Sequence, residues 1–357
     1  MKKLNLAVIG QGRSGKDIHG LYYKSEANVY YNVKYVVEQD EYRRNFSKDY
    51  YPGCEVLADY RELFDKKDID LVVNVTYSNE HYPITKDLLE HGFNVLTDKP
   101  FARNAFECNT LIKTAKDKGV VLMVFQQTFY SPVYLKAKEV IDSGILGKIE
   151  QIAIRYNNLV RRWDWQTLQK RVGGHCYNTG PHPIGMALGF ADFDKDLKVV
   201  FSRTDNTPMF AGDADDFVKA IITAPGRPVL DVEMSSIDAY KNPVIKIQGT
   251  KGTYSSDFVN YQMKYVVDGE NVERQPIENF LEDENKLPAY CGEELITHED
   301  GGQFNGDPFE LGAARLYEDL YYKITEGRDV MITPEVVTQI INVIEAIHAQ
   351  NPLEVKF

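Results

Sequence analysis

At 357 residues the chain is long for one domain and comfortable for two, and its 43% hydrophobic and 26% charged content describes a globular protein without a large disordered part. A formal net charge of −12 argues against nucleic acid or an anionic membrane as the main partner, because phosphate neutralisation needs clustered Lys and Arg. No apolar run is long enough to span a bilayer, a first strand starting by residue 4 leaves no room ahead for a signal peptide, and Cys54, Cys108, Cys176 and Cys291 are scattered without zinc or disulfide spacing, so a cytoplasmic protein with reduced thiols is expected.

The apolar run Leu4–Ile9 reads as a buried strand, and Gly10-Gln11-Gly12-Arg13-Ser14-Gly15 follows it directly in a G-x-G-x-x-G pattern. Glycine solves three steric problems there. Gly10 allows the sharp turn, Gly12 lets a pyrophosphate approach the backbone, and Gly15 lets the next helix pack on the strand. That helix offers unpaired N–H groups and a positive dipole end to phosphates, with Arg13 and Ser14 at its mouth. A second apolar run, 33–37, ends on Glu38, placed to accept hydrogen bonds from both ribose hydroxyls of an adenosine and to repel a 2′-phosphate. The expected cofactor is NAD. NADP stays open because Arg13, Arg43 and Arg44 could meet a 2′-phosphate. Strands at 69–75, 93–97 and 120–125 alternate with helices at 82–91, stopped by Gly92, and Ala105–Lys118, stopped by Gly119. Alternation of this kind predicts a doubly wound parallel sheet, α/β in class, over residues 1–125.

After a helix over 132–143 the pattern changes to longer alternating runs: 149–156, 197–201, Phe217–Thr223, Val229–Ser235 and 245–247. Segments 261–267 and 272–277 read as a hairpin turning at 268–271, and 282–307 as a long loop. Helices at 309–326 and 334–349 close the chain, the second with Thr333 as N-cap and Pro334 in its first turn. Residues 126–357 are therefore predicted as an α+β domain with a large, mostly antiparallel open sheet, the last helices packing back on the first domain. An exposed sheet face points to a homodimer or homotetramer.

Residues just past the carboxyl ends of the parallel strands face the ligand of such a sheet. Asp98-Lys99-Pro100 follows the 93–97 strand, and a lysine there suits stabilisation of an alkoxide. In the apolar helical pattern from Asn178 to Leu188, Pro181 and Pro183 are tolerable only in a first turn. His182 therefore sits at a helix N-terminus, where the dipole disfavours an imidazolium. Trp163 and Trp165, in Arg161-Arg162-Trp163-Asp164-Trp165-Gln166, offer flat faces for a sugar, or equally a loop that folds onto a neighbouring subunit. Tyr156, Gln126, Gln127 and Tyr177 are further substrate candidates. His175, Cys176 and His182 match no metal motif, so no metal is expected. Asp213-Ala214-Asp215-Asp216 reads as a solvated turn before a strand.

The whole length resembles the Gfo/Idh/MocA oxidoreductases, the family of glucose–fructose oxidoreductase and inositol dehydrogenase. The resemblance rests on the Gly10–Gly15 fingerprint, Thr76 and His81, Asp98-Lys99-Pro100, Ser131-Pro132, 144–149, Gly173-Gly174 leading to His182, 249–252, and Thr333-Pro334-Glu335. It implies a Rossmann domain binding a nicotinamide cofactor through Gly10, Gly12, Arg13, Ser14, Gly15, Glu38, Thr76, His81, Asp98 and Lys99. It implies Lys99 as catalytic lysine and His182 as acid/base, with Asn178 beside them. Lys99, Tyr156, Trp163, Trp165, Asn178 and His182 would face a sugar, sugar derivative or cyclitol whose secondary alcohol exchanges a hydride with the nicotinamide. The chain departs from the family at Asn178 and Gly185, where aspartates are common, and at Tyr77, where a proline is. Two other readings stay open: a glycosidase or epimerase using tightly bound NAD in an internal redox cycle, and a non-catalytic cofactor-binding regulator.

Overall fold

The computed structural model describes residues 2–277, 279 and 281–357. In its first half, β1 (Leu4–Ile9), β2 (Tyr31–Val37), β3 (Glu55–Leu57), β4 (Leu71–Asn74), β5 (Val95–Thr97) and β6 (Leu122–Val124) form one sheet in the order β3-β2-β1-β4-β5-β6. Every pairing is parallel. Helices cover it: α1 (Gly20–Lys24), α2 (Glu41–Tyr50), α3 (His81–Glu90) and α4 (Ala105–Lys118). The central strands are buried on both faces, which is why they read as unbroken apolar runs. Asn104 caps α4 by accepting from Glu107 N–H, and Gly119 ends it at φ +66°. Strand order reverses at β1, between β2 and β4, and the crevice beyond that point is where such sheets take their ligand.

The second half opens with α5 (Pro132–Asp142), β7 (Ile149–Asn157), α6 (His175–Asn178) and α7 (Pro181–Phe190). It continues through β8 (Lys198–Asp205), β9 (Phe217–Thr223), β10 (Val229–Ser235), β11 (Ile245–Gly249), β12 (Gly252–Ser256), β13 (Asn260–Tyr265) and β14 (His298–Gln303). The eight-stranded sheet runs β14-β13-β12-β11-β7-β10-β9-β8, antiparallel except for β7 with β10. Its inner face, with Ile152, Ile154, Val232 and Ile247 fully buried, packs on α7. Its outer face carries an ion-pair ladder in which Lys219 Nζ lies 2.6 Å from Asp231 and 3.0 Å from Glu233, and Arg155 joins Asp231 at 2.5 Å.

Two expectations are corrected here. Residues 272–277 do not pair with β13; β14, inside the segment expected to be a loop, does, with Tyr265 opposite His298 and Asn260 opposite Gln303. Pro276 has no N–H to give a ladder, and the Asn271 side chain clips the returning chain at Ile296, donating to its carbonyl (3.1 Å) and accepting its N–H (2.7 Å). Asp213, Asp215 and Asp216 are not a solvated turn but are buried at 1%, 2% and 0% exposure. Each carboxylate takes backbone N–H donors: Asp213 from Gln169 and Lys356, Asp215 from Cys176, Asp216 from Thr207 and Phe210. Asp215 also accepts from His348 Nε2 at 3.2 Å. Cys176, Asp215 and His348 bring three potential ligand atoms within 4.8 Å of one another, and the Asp215 carboxylate there already accepts from the Cys176 backbone N–H and from His348, stapling distant parts of the chain.

Two closing helices, α8 (Pro308–Glu326) and α9 (Pro334–Gln350), cross to the parallel sheet's side. The Tyr317 ring stacks on Tyr22 (4.3 Å, 3°), its hydroxyl bonds Tyr23 OH and His19 Nδ1 (2.6 Å), and its carbonyl accepts from Tyr31 OH (2.7 Å). On α9, Glu345 accepts the Ala105 N–H at the start of α4 (2.8 Å).

Candidate active site

The glycine loop closes the crevice. Gly10 has φ +102°, and a Cβ there would lie 2.8 Å from Val75 O, at the end of β4. A Cβ on Gly15 would lie 2.0 Å from Gly10 O, so loop and helix pack at glycine distance. A Cβ on Gly12 would meet nothing within 4 Å, which leaves open space over the loop. Residues Ser14–His19 wind as a π-helix running into α1, so the first turn is wider than expected. Glu38, 8% exposed at the end of β2, holds the loop from the other side: Gln11 N–H donates to its Oε2 (2.7 Å) and Asp40 N–H to its Oε1 (2.9 Å), with Arg43 3.6 Å from Oε2. A bare glycine loop, free space above it and an acid at the β2 end fit an adenine dinucleotide.

Asp98 and Lys99 follow β5 and face this loop. Ser14 Oγ donates to Asp98 Oδ2 (2.5 Å) and Lys99 N–H to Oδ1 (2.7 Å). Burial works against the Asp98 carboxylate, yet His19, Lys99 and His81 hold its pKa well below the usual range. His81 is buried between two carbonyls, Pro100 O (2.7 Å from Nδ1) and Thr76 O (3.3 Å from Nε2), and burial lowers its pKa. It ties the segment after β4 to that after β5, while Thr76 Oγ1 donates back to Asn74 (2.8 Å).

From the other side of the cleft come α6 and α7. Lys99 Nζ donates to the carbonyl of Asn178, the last residue of α6, at 2.6 Å. Burial lowers the Lys99 pKa, and the charges of Arg13 and Arg162 add to that while Asp98 opposes it. His182 is the second residue of α7, after Pro181. Its Nδ1 lies 2.6 Å from Thr128 Oγ1, and its pKa falls from 6.5 to about 3 through burial and the nearby Lys99 charge. Among the described residues His182 Nε2 has no hydrogen-bond partner. The two proposed reacting groups thus come from the ends of a parallel strand and of a helix in the other half.

Beside His182 lies a cavity of ≈ 330 Å³, lined by Gln127, Thr128, Tyr156, Met186, Phe258 and Phe309 among others. Tyr156 stacks near His182 (6.4 Å) and edge-on to Phe258 (5.5 Å). Trp163 is 79% exposed and outside this lining, whereas Trp165 packs edge-on against Tyr77 at 5.0 Å. Tyr177 turns away, donating to Arg103 O (2.6 Å), and Gln126 is buried with neither amide atom paired. Sequence reasoning missed Thr128, Phe258 and Phe309, and had Gln166 only as the last residue of the Arg161–Gln166 stretch. Thr128 carries no spacing signal, and the others are placed by tertiary contacts of separate segments.

A two-domain architecture with a dinucleotide crevice facing a lysine and a histidine defines a Rossmann-type oxidoreductase scaffold. Residues 4–126 match the model of the GFO_IDH_MocA oxidoreductase family with its NAD-binding Rossmann fold, and residues 134–255 match the GFO/IDH/MocA C-terminal domain. The chain belongs to the Gfo/Idh/MocA oxidoreductase family and carries its NAD-binding Rossmann domain. It is 24% identical over 350 residues to scyllo-inositol 2-dehydrogenase (NADP(+)) IolW of Bacillus subtilis, covering 96% of this chain and 92% of that protein. To 2,7-anhydro-N-acetylneuraminate hydratase of Mediterraneibacter gnavus it is 22% identical over 312 residues, 86% and 80% of the two chains. In fold it is similar to GenD2 from gentamicin A biosynthesis, solved with NAD, at TM-score 0.78 and 19% identity over 100% of this chain and 97% of that one. No helix among the described residues is long and apolar enough to cross a membrane.

Proposed function

We propose that the chain is an NAD(P)-dependent dehydrogenase acting on a secondary alcohol of a sugar, sugar derivative or cyclitol. The observation that carries this reading is the placement of His182, anchored by Thr128 across the cleft from Lys99 in surroundings that lower its pKa. Gly10, Gly12, Gly15, Ser14 and Glu38 would hold the coenzyme, which when bound supplies the hydride acceptor or donor. With its Nδ1–H donating a hydrogen bond to Thr128 Oγ1, His182 keeps the lone pair on Nε2 that takes the substrate hydroxyl proton. The Lys99 ammonium donates to the oxygen as it gains negative charge. Glu38 favours NAD over its 2′-phosphorylated form by charge. Tyr156 and the apolar wall behind it receive the C–H face of the ring.

A panel of sugars and cyclitols with NAD and with NADP, followed at 340 nm, tests this: one substrate accumulates reduced coenzyme, and Lys99→Ala abolishes turnover by about 10³-fold or more while binding coenzyme near normally. Lys99→Ala with unchanged turnover overturns it. A second reading, net lyase, hydratase or epimerase chemistry with the coenzyme returned to its starting state, is favoured by the similarity to the Mediterraneibacter gnavus hydratase. Altered sugar without accumulated reduced coenzyme selects it.

A further inference from the structure

Resting on the site just proposed, one inference concerns what the substrate must present to it. The polarity of Asn178 is fixed by a chain of side chains in which only one orientation satisfies every member. Arg162 has donors only, and it donates through Nη2 to the Gln166 side-chain oxygen. Arg162 is itself pinned: its Nε and Nη2 pair with Asp164 (3.0 and 2.8 Å), and its backbone bonds Met209 O and Ala211 N. Gln166 must therefore turn its oxygen to Arg162 and its NH₂ to Asn178, where Nε2 donates to Asn178 Oδ1 at 2.7 Å. With its oxygen turned to Gln166, Asn178 directs its NH₂ away from that residue, and the group it offers elsewhere is the Nδ2 donor. Asn178 is half-buried, and Nδ2 makes no hydrogen bond among the described residues.

Lys99 reinforces that polarity. Its Nζ donates to the neutral carbonyl of the same Asn178, and no carboxylate lies within ion-pair distance of it among the described residues. Asp98, its chain neighbour, spends its oxygens on Ser14 and on the Lys99 backbone N–H. The two side chains at this corner thus supply N–H donors, one of them charged; the acceptor across the cleft, His182 Nε2, is reserved for the reacting hydroxyl, so a second substrate group at this corner meets donors. Polyol hydroxyls, which must also place their own protons, are poorly served by it. An anionic group that only accepts is well served.

We infer that the substrate is an acidic sugar whose carboxylate is received by Asn178 Nδ2 beside the Lys99 ammonium. An aspartate at position 178 would present acceptors and a negative charge, and would reject the same group. Gln166 is then a positioning residue for specificity, acting through Asn178.

The test uses the full-length protein loaded with NAD, measuring binding by titration calorimetry for glucuronate against glucose and galacturonate against galactose. At least one acid binds about ten-fold or more tighter than its neutral parent, the effect of a charge-assisted hydrogen bond gained. In Gln166→Glu the new carboxylate accepts from both Arg162 and Asn178, turning the Asn178 oxygen to the substrate. The acid preference then falls about ten-fold or more, with coenzyme affinity and melting temperature retained. Asn178→Asp produces the same loss and serves if Gln166→Glu does not fold. Equal binding of acid and parent in both pairs, or an acid preference that survives both substitutions, overturns the inference. Neutral sugars oxidised with accumulation of reduced coenzyme would sink it and leave the dehydrogenase reading standing. An acid bound with the expected preference but never oxidised would sink that reading and leave this one.

Discussion

The state of His182 gives a prediction that can be worked through in numbers. Its imidazole ordinarily titrates near 6.5, and burial together with the Lys99 charge brings it to about 3 in the folded chain. Between those values the unfolded chain binds a proton that the folded chain does not. Stability therefore rises with pH across that window and falls as pH drops through it, at up to about 1.4 kcal/mol per pH unit. A full drop from 6.5 to about 3 corresponds to about 5 kcal/mol, of which about 3 kcal/mol falls between pH 7 and pH 4; the ring is partly open to the cleft, so solvent screening reduces the realised loss in that window to about 2 kcal/mol. His175, lowered by burial to about 4, contributes in the same direction, so the comparison must be with His182→Gln, which keeps the hydrogen bond to Thr128 but cannot titrate. Calorimetric unfolding of the coenzyme-free protein at pH 5 in buffers of different ionisation enthalpy reads the proton count directly. Wild type takes up about one more proton than the variant on unfolding, and its stability declines more steeply from pH 7 to pH 4. Equal proton uptake by the two proteins would mean that His182 titrates normally in the fold, and the account of a neutral base would fail.

Glu38→Ala removes the acceptor of Gln11 and Asp40 N–H groups and frees Arg43, so NAD affinity falls about ten-fold and the NADP-to-NAD affinity ratio rises in fluorescence titrations; an unaltered ratio refutes the role of Glu38. Tyr317→Phe keeps the ring stacked on Tyr22 but leaves Tyr23 OH and His19 Nδ1 without a buried partner, and urea unfolding should show a loss of about 1–3 kcal/mol with the same denaturant slope.

The parallel sheet was legible because each of its signals is local. An apolar run, a glycine turn and Glu38 at the next strand's end need no distant partner, and Asn104 and Gly119 bracket α4 by their own backbone chemistry. Val229–Ser235 was readable to the residue because alternating burial leaves a period-2 pattern. β14 was not, since His-Glu-Asp-Gly-Gly-Gln has no strand-like side chains and is held at the sheet edge by backbone pairing with β13. The aspartates at 213, 215 and 216 looked solvated because the donors that bury them arrive from elsewhere: Cys176, Thr207 and, from the chain's end, His348 and Lys356. In the cleft, Lys99 and His182 announced themselves by position after a strand and at a helix start. Thr128 and Gln166 did not, because a hydroxyl or amide that orients another side chain leaves no periodicity to read.

The passage of α8 across to the first sheet ties the coenzyme crevice to the last fifth of the polypeptide. Tyr317 plugs the pocket between Tyr22, Tyr23 and Tyr31, and Tyr321 OH reaches the backbone of Lys2 at 3.0 Å. Severed near residue 125, the parallel sheet would bare a patch of aromatic rings and strand His19 without its hydroxyl partner. The nucleotide-binding half of this protein therefore leans on a helix that comes after residue 307: the tyrosines of α1 and β2, and His19 beside them, meet their hydroxyl partner only when Tyr317 is in place.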